Sequence, residues 1–130
     1  MKRVVEVIAA AIIAASLASC SASEATPPPA DGGTFQTIEE LKVAVNSAGL
    51  PCTDMVLDKP PSKFAAESAT CGEFTSLALY SDDLHLQSQL DFLRPSGQRA
   101  VNIGKNWTVI SEDPNRIQKS LGGTVLHTGP

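Results

Sequence analysis

The side chains of this 130-residue chain with the widest chemical range are three cysteines and two histidines: Cys20, Cys52, Cys71, His85 and His127. A thiolate can act as nucleophile, metal ligand or half of a disulfide, and an imidazole as proton shuttle or metal ligand. Spacing decides among these roles. There is no Cys-x-x-Cys, and neither histidine has a second histidine three or four residues away, so the spacing of a zinc site is not met. Asp82-Asp83 lacks the alternating oxygen ligands of a calcium loop; the pair stands where a helix begins and suits its dipole. The chain contains no Gly-x-Ser-x-Gly, Ser-x-x-Lys or His-Glu-x-x-His, and no phosphate-cradling glycine loop. No catalytic residue, metal ligand or cofactor is therefore assigned, and the chain is not read as an enzyme.

Trp107 is the only tryptophan and follows Lys105-Asn106. Facing solvent, Trp107, Asn106 and Lys105 would make a binding surface, because exposed tryptophans anchor interfaces. Facing inward, Trp107 would be core. The alternation in Trp107-Thr108-Val109-Ile110 puts Trp107 and Val109 on one face, which Val101 and Ile103 would extend if residues 104–106 form a bulge. Core packing is the expectation.

The beginning of the chain carries the most specific pattern. Met1-Lys2-Arg3 is a basic start, and Val7 to Leu17 is an apolar run that is too short to span a bilayer but long enough for an export signal. The run ends in Leu17-Ala18-Ser19-Cys20: an aliphatic residue, two small ones, then cysteine. This resembles the lipobox of bacterial lipoproteins. The resemblance implies cleavage before Cys20 and a diacylglyceryl thioether on its sulfur, with palmitate-type acyl chains; two or three such chains hold a protein stably on a membrane. The expected location is the extracytoplasmic face of the cell membrane, with the membrane itself the partner reached through the lipid. The formal charge of −4 argues against nucleic acid, which calls for clustered Lys and Arg.

With Cys20 taken by lipid, Cys52 and Cys71 remain. An exported domain meets an oxidising environment, so these two are expected to form a disulfide worth about 3 kcal/mol from loop closure. Residues 1–19 are thus read as signal peptide, 20–35 as lipidated cysteine and disordered Pro/Ser/Gly tether, and 36–128 as one globular domain. The tether reading rests on Pro27-Pro28-Pro29 and Gly32-Gly33, with nothing able to bury a face. As a coil, Ser21 to Thr34 would reach roughly 20 Å, and somewhat over 40 Å fully extended.

These groups must be positioned by a small set of elements. Thr37-Ile38-Glu39-Glu40 is a capping box, Ile38, Leu41, Val45 and Ala48 share a helical face, and Gly49 with Pro51 ends that helix. Strands are expected at about 53–58, 64–71 and 75–80, and a helix at 82–93 with Ser81 as cap. Residues 100–111 form one bulged strand or a hairpin. Asp113-Pro114 opens a helix that Gly122-Gly123 closes, and 124–127 is a last strand. The order α-β-β-β-α-β-α-β gives an α+β fold. Right-handed crossovers through the later helices suggest a mixed sheet, in a two-layer sandwich with helices mostly on one face.

Leu50-Pro51-Cys52, Cys71, Tyr80-Ser81-Asp82-Asp83, Gly104-Lys105-Asn106-Trp107 and Leu121-Gly122-Gly123 together resemble a class of small actinobacterial lipoproteins of undefined role. That resemblance implies no catalytic residues. The functional expectation is a membrane-anchored envelope lipoprotein presenting a disulfide-bonded domain that binds an envelope protein or a small ligand. The alternatives are a small envelope enzyme or thiol-active protein, and a phage-encoded surface lipoprotein that blocks superinfection.

Overall fold

A computed structural model of the chain describes residues 27–96 and 99–128. The basic start, the apolar run, the lipobox and Cys20 lie outside these residues. Three helices, α1 (Ile38–Ser47), α2 (Asp83–Leu93) and α3 (Pro114–Leu121), accompany six strands: β1 (Met55–Leu57), β2 (Glu67–Cys71), β3 (Thr75–Leu79), β4 (Ala100–Ile103), β5 (Trp107–Ile110) and β6 (Thr124–His127). The class is α+β, in the order expected, with residues 100–111 resolved into a hairpin. Among the described residues no helix is long and apolar enough to cross a membrane.

Local signals set the helix ends. The Thr37 hydroxyl accepts from the Glu40 amide at 3.1 Å, while the Glu40 carboxylate reaches back to the Gln36 amide at 2.8 Å. Asp113 caps α3 by accepting from the Arg116 amide at 3.1 Å. At α2 the cap is Asp82 rather than Ser81: its carboxylate accepts from the His85 amide at 2.9 Å, and the same oxygen meets His85 Nδ1 at 2.7 Å. A carboxylate serves both groups, which a serine hydroxyl does less well.

The strands lie in the order β1-β2-β3-β5-β4-β6, and all five neighbouring pairs are antiparallel. This corrects the mixed sheet. The chain does pass through α2 from β3 to β4, and through α3 from β5 to β6, and each helix joins strands running the same way. Those strands are not neighbours, however. The β4–β5 hairpin folds β5 back into the gap beside β3, so each parallel-running pair is split by an antiparallel strand.

The two-layer arrangement is also corrected. Ile38, Leu41 and Val45 of α1 and Ile117 and Leu121 of α3 cover one face of the sheet, over Ala69, Leu77, Leu79, Trp107 and Val109. Leu86 and Leu90 of α2 cover the other face, over Ala78, Tyr80 and Val101. Two helices share one face, and α2 makes a third layer. The hairpin is the reason. Cross-strand partners share a face, and Ile103 pairs with Thr108 and Val101 with Ile110. Val101 and Ile103 therefore face away from Trp107, and apolar side chains on that second face need a cover of their own.

Cys52 and Cys71 are bonded, joining the segment after α1 to the end of β2. Cys52 is wholly buried and Cys71 nearly so, within the α1–α3 core. The Asn46 side chain grips the Cys52 backbone from both sides, accepting from its amide at 2.6 Å and donating to its carbonyl at 3.3 Å. Reducing the bond frees a loop and leaves two thiols in a packed core. Cys71→Ser should lower unfolding free energy by about 2–5 kcal/mol in a denaturant titration. The intact mass of the untreated protein should be two hydrogens below that of the reduced protein.

Candidate binding groove and the strap that forms it

A buried indole must place its N–H. Trp107 is 0% exposed, packed on the sheet with Phe35 edge-on at 6.0 Å between ring centres. Its Nε1 donates to the Gly32 carbonyl at 3.0 Å. That bond reaches across 75 residues of sequence to the segment expected to be a free tether. Four more bonds hold the same segment down. The Gly123 amide donates to the Ala30 carbonyl at 3.2 Å, and the Lys105 amide to the Gly33 carbonyl at 3.1 Å. Asn106 accepts from the Phe35 amide at 3.0 Å and donates to the Phe35 carbonyl at 2.8 Å. Residues 29–35 are thus a strap docked on the domain rather than part of a free tether reaching to residue 35.

Glycines allow this close approach. A Cβ on Gly104 would overlap the Trp107 indole, and one on Gly122 would overlap the Pro29 carbonyl oxygen. Sequence reasoning read Gly104 and Gly122 as punctuation of turns and helix ends. Their second property, a backbone bare enough for another segment to lie on, has no signature in a single sequence.

The three residues named as a candidate binding surface are therefore the seat of the strap. Trp107 is core, Asn106 clamps Phe35, and Lys105 contributes its amide to Gly33 while its side chain is exposed. What they bind is this chain's own segment. Cys52 and Cys71 are bonded and shielded, an arrangement for bracing rather than thiol chemistry. His85 is exposed and paired with Asp82, whose carboxyl is held below its ordinary range chiefly by the backbone and side-chain hydrogen bonds from His85. His127 is exposed at the end of β6. Among the described residues no three His, Cys, Asp or Glu side chains gather as a metal site would require.

Docking the strap creates a groove. Pro28, Pro29 and Phe35 line it on the strap side, with Ala44 of α1, the α1 cap residue Ala48 and Leu121 of α3 completing an open groove of about 660 Å³. Ser47, Ser120 and Lys119 bring hydroxyls and one amine to its lining. The side chains are small or apolar with a single cation among them, so the groove can hold an elongated apolar group and neutralise one negative charge. No carboxylate and no imidazole line it.

Across the sheet, under α2, the Tyr80 phenol lies 2.9 Å from the Thr108 hydroxyl, and both residues are buried. Burial pushes the phenol above its ordinary value of 10.0, and the Thr108 hydrogen bond offsets part of that rise.

Compared with protein-family models, curated protein sequences and solved structures, the chain matches none.

Two outcomes follow from this geometry. Trp107→Phe keeps most of the apolar volume but deletes the donor to Gly32. The strap should loosen, and hydrogen exchange at the Lys105 and Gly123 amides should accelerate relative to the β3 amides. Tyr80 holds its proton more tightly folded than unfolded. Its contribution is complete below pH 10 and declines as the unfolded chain ionises first, so stability should fall above pH 10 less steeply in Tyr80→Phe than in the parent, by denaturant titration.

Proposed function

We propose that this protein is a lipid-anchored lipoprotein of the bacterial cell envelope whose folded domain is a binding module. The observation that carries the reading is the division of labour among its three cysteines. Cys52 and Cys71 are spent on a buried disulfide, the state expected outside the cytoplasm. Cys20 stands apart at the end of Leu17-Ala18-Ser19, where a lipoprotein takes its lipid. The palmitate-type chains, the extracytoplasmic face and the binding role all belong to this proposal.

The docked strap changes how the module is held. Only the eight residues from Cys20 to Pro27 separate the lipid from the folded domain. Their greatest extended span is about 28 Å, well short of the reach of a tether ending at residue 35. The domain is kept near the headgroups, and the groove walled by Pro28 and Pro29 opens beside the point where the leash leaves the domain. An elongated apolar ligand with an anionic end, presented at the membrane surface, suits that groove and its Lys119.

The anchor is tested by Cys20→Ala. The parent should partition into the detergent phase and label with radioactive palmitate. The variant should fail to label, and should either appear in the medium or remain as full-length precursor. A Cys20→Ala protein that stays with the membrane at the processed size would overturn the proposal.

A further inference from the structure

The face of the sheet under α2 holds a second, smaller chamber of about 170 Å³, separate from the groove and on the opposite side of the sheet. Its lining is divided. Ala78, Leu93 and Ile110 supply apolar surface, while Asp58, Ser68, Ser76, Tyr80, Thr108 and Gln89 supply oxygen. Gln89 is nine-tenths buried on α2, and its Oε1 has no hydrogen-bond partner. A buried acceptor left unpaired costs on the order of 1–3 kcal/mol, so its presence asks for a donor.

The neighbouring groups do not supply one. The Tyr80 and Thr108 hydroxyls bond each other at 2.9 Å. The Ser68 hydroxyl donates to Asp58 Oδ2 at 2.6 Å and accepts from the Ser62 amide at 2.8 Å. Among the described residues Asp58 has no ion-pair partner. Lys63, on the loop between β1 and β2, lies instead over the Phe64 and Phe92 rings at 5.3 and 5.5 Å. Beside these hydroxyls the chamber therefore holds one unpaired buried acceptor, one carboxylate charge and an apolar side.

We propose that this chamber binds a small primary ammonium compound. The head group donates to Gln89 Oε1 and to the Asp58 carboxylate, and a short hydrocarbon tail rests against Ala78, Leu93 and Ile110. The volume equals about six waters at ~30 Å³ each, which suits a compound of roughly five to eight non-hydrogen atoms. A metal ion is less well served, because a single carboxylate and no imidazole or thiolate line the chamber.

The test is nuclear magnetic resonance titration of the full chain, in amine-free buffer, with n-butylammonium chloride and separately with 1-butanol. Butylammonium should give saturable shifts centred on Ser76, Tyr80, Gln89 and Thr108, and butanol should bind at least about tenfold more weakly because it lacks the charge. Asp58→Asn keeps an acceptor for Ser68 but removes the charge, and Gln89→Met keeps the volume but removes the amide oxygen. Each should weaken butylammonium by about tenfold or more. No saturable shift, equal binding of butanol, or undiminished binding in either folded variant overturns the proposal. Should Asp58→Asn fail to fold, Gln89→Met and the butanol comparison decide it.

Discussion

The hydrogen bond from the Trp107 indole to the Gly32 carbonyl is the contact on which the rest of this architecture turns. A tryptophan with no exposed surface has removed its N–H from water, and an unpaired buried donor costs on the order of 1–3 kcal/mol. The acceptor comes from a segment with no regular secondary structure, and fixing that segment is what closes the domain. Phe35 then covers the indole edge-on, Asn106 holds the Phe35 backbone, and Gly104 keeps a surface flat enough for the ring. One wall of the groove exists only because the strap is down.

The sheet carries different work on its two faces. The face beneath α1 and α3 is apolar apart from the buried Asn102 amide, which donates to the Pro114 carbonyl, and is cross-braced by the disulfide. It is the mechanical part of the molecule, and the groove lies along its edge. The face beneath α2 mixes apolar side chains with buried hydroxyls and a buried amide. Threonine, tyrosine and glutamine are costly choices for an interior unless their polar atoms are satisfied. Tyr80 and Thr108 bond each other, whereas Gln89 keeps one acceptor free, as Asn102 does on the other face. The scaffold and the polar chamber are thus separated by the thickness of one sheet.

The antiparallel arrangement follows from the tight turn at Gly104-Lys105-Asn106. A hairpin there returns the chain beside itself, and β5 lies between β4 and β3. The same turn delivers Trp107 to the centre of the α1–α3 face and sends Val101 and Ile103 to the α2 face. A bulged single strand would have put all of these side chains on one side, and α2 would have covered Ala78, Tyr80 and Ile110 without Val101 and Ile103. A three-residue turn decides how the apolar side chains of β4 and β5 are divided between the two faces.

Much of the fold was legible because its signals are local. Thr37 with Glu40, Asp113 with Pro114, and Gly122 act within one turn of helix, so neighbours in sequence suffice to read them. The α+β class and all three helices, within a residue or so, followed from such signals, and the pairing of Cys52 with Cys71 followed from the expectation of an oxidising environment. Strand neighbours did not follow, because a crossover specifies the direction of the strand it reaches but not which strand is later inserted beside it. The strap did not follow either. Gly32-Gly33 has the composition of a linker, and it is ordered by an indole 75 residues away, a contact that composition does not encode. The sequence by itself determined the elements, their order and the pairing of Cys52 with Cys71, since these depend on backbone propensity and side-chain chemistry. Only tertiary packing decided the strap, the groove and the chamber under α2, since each is a space or a contact between segments far apart along the chain.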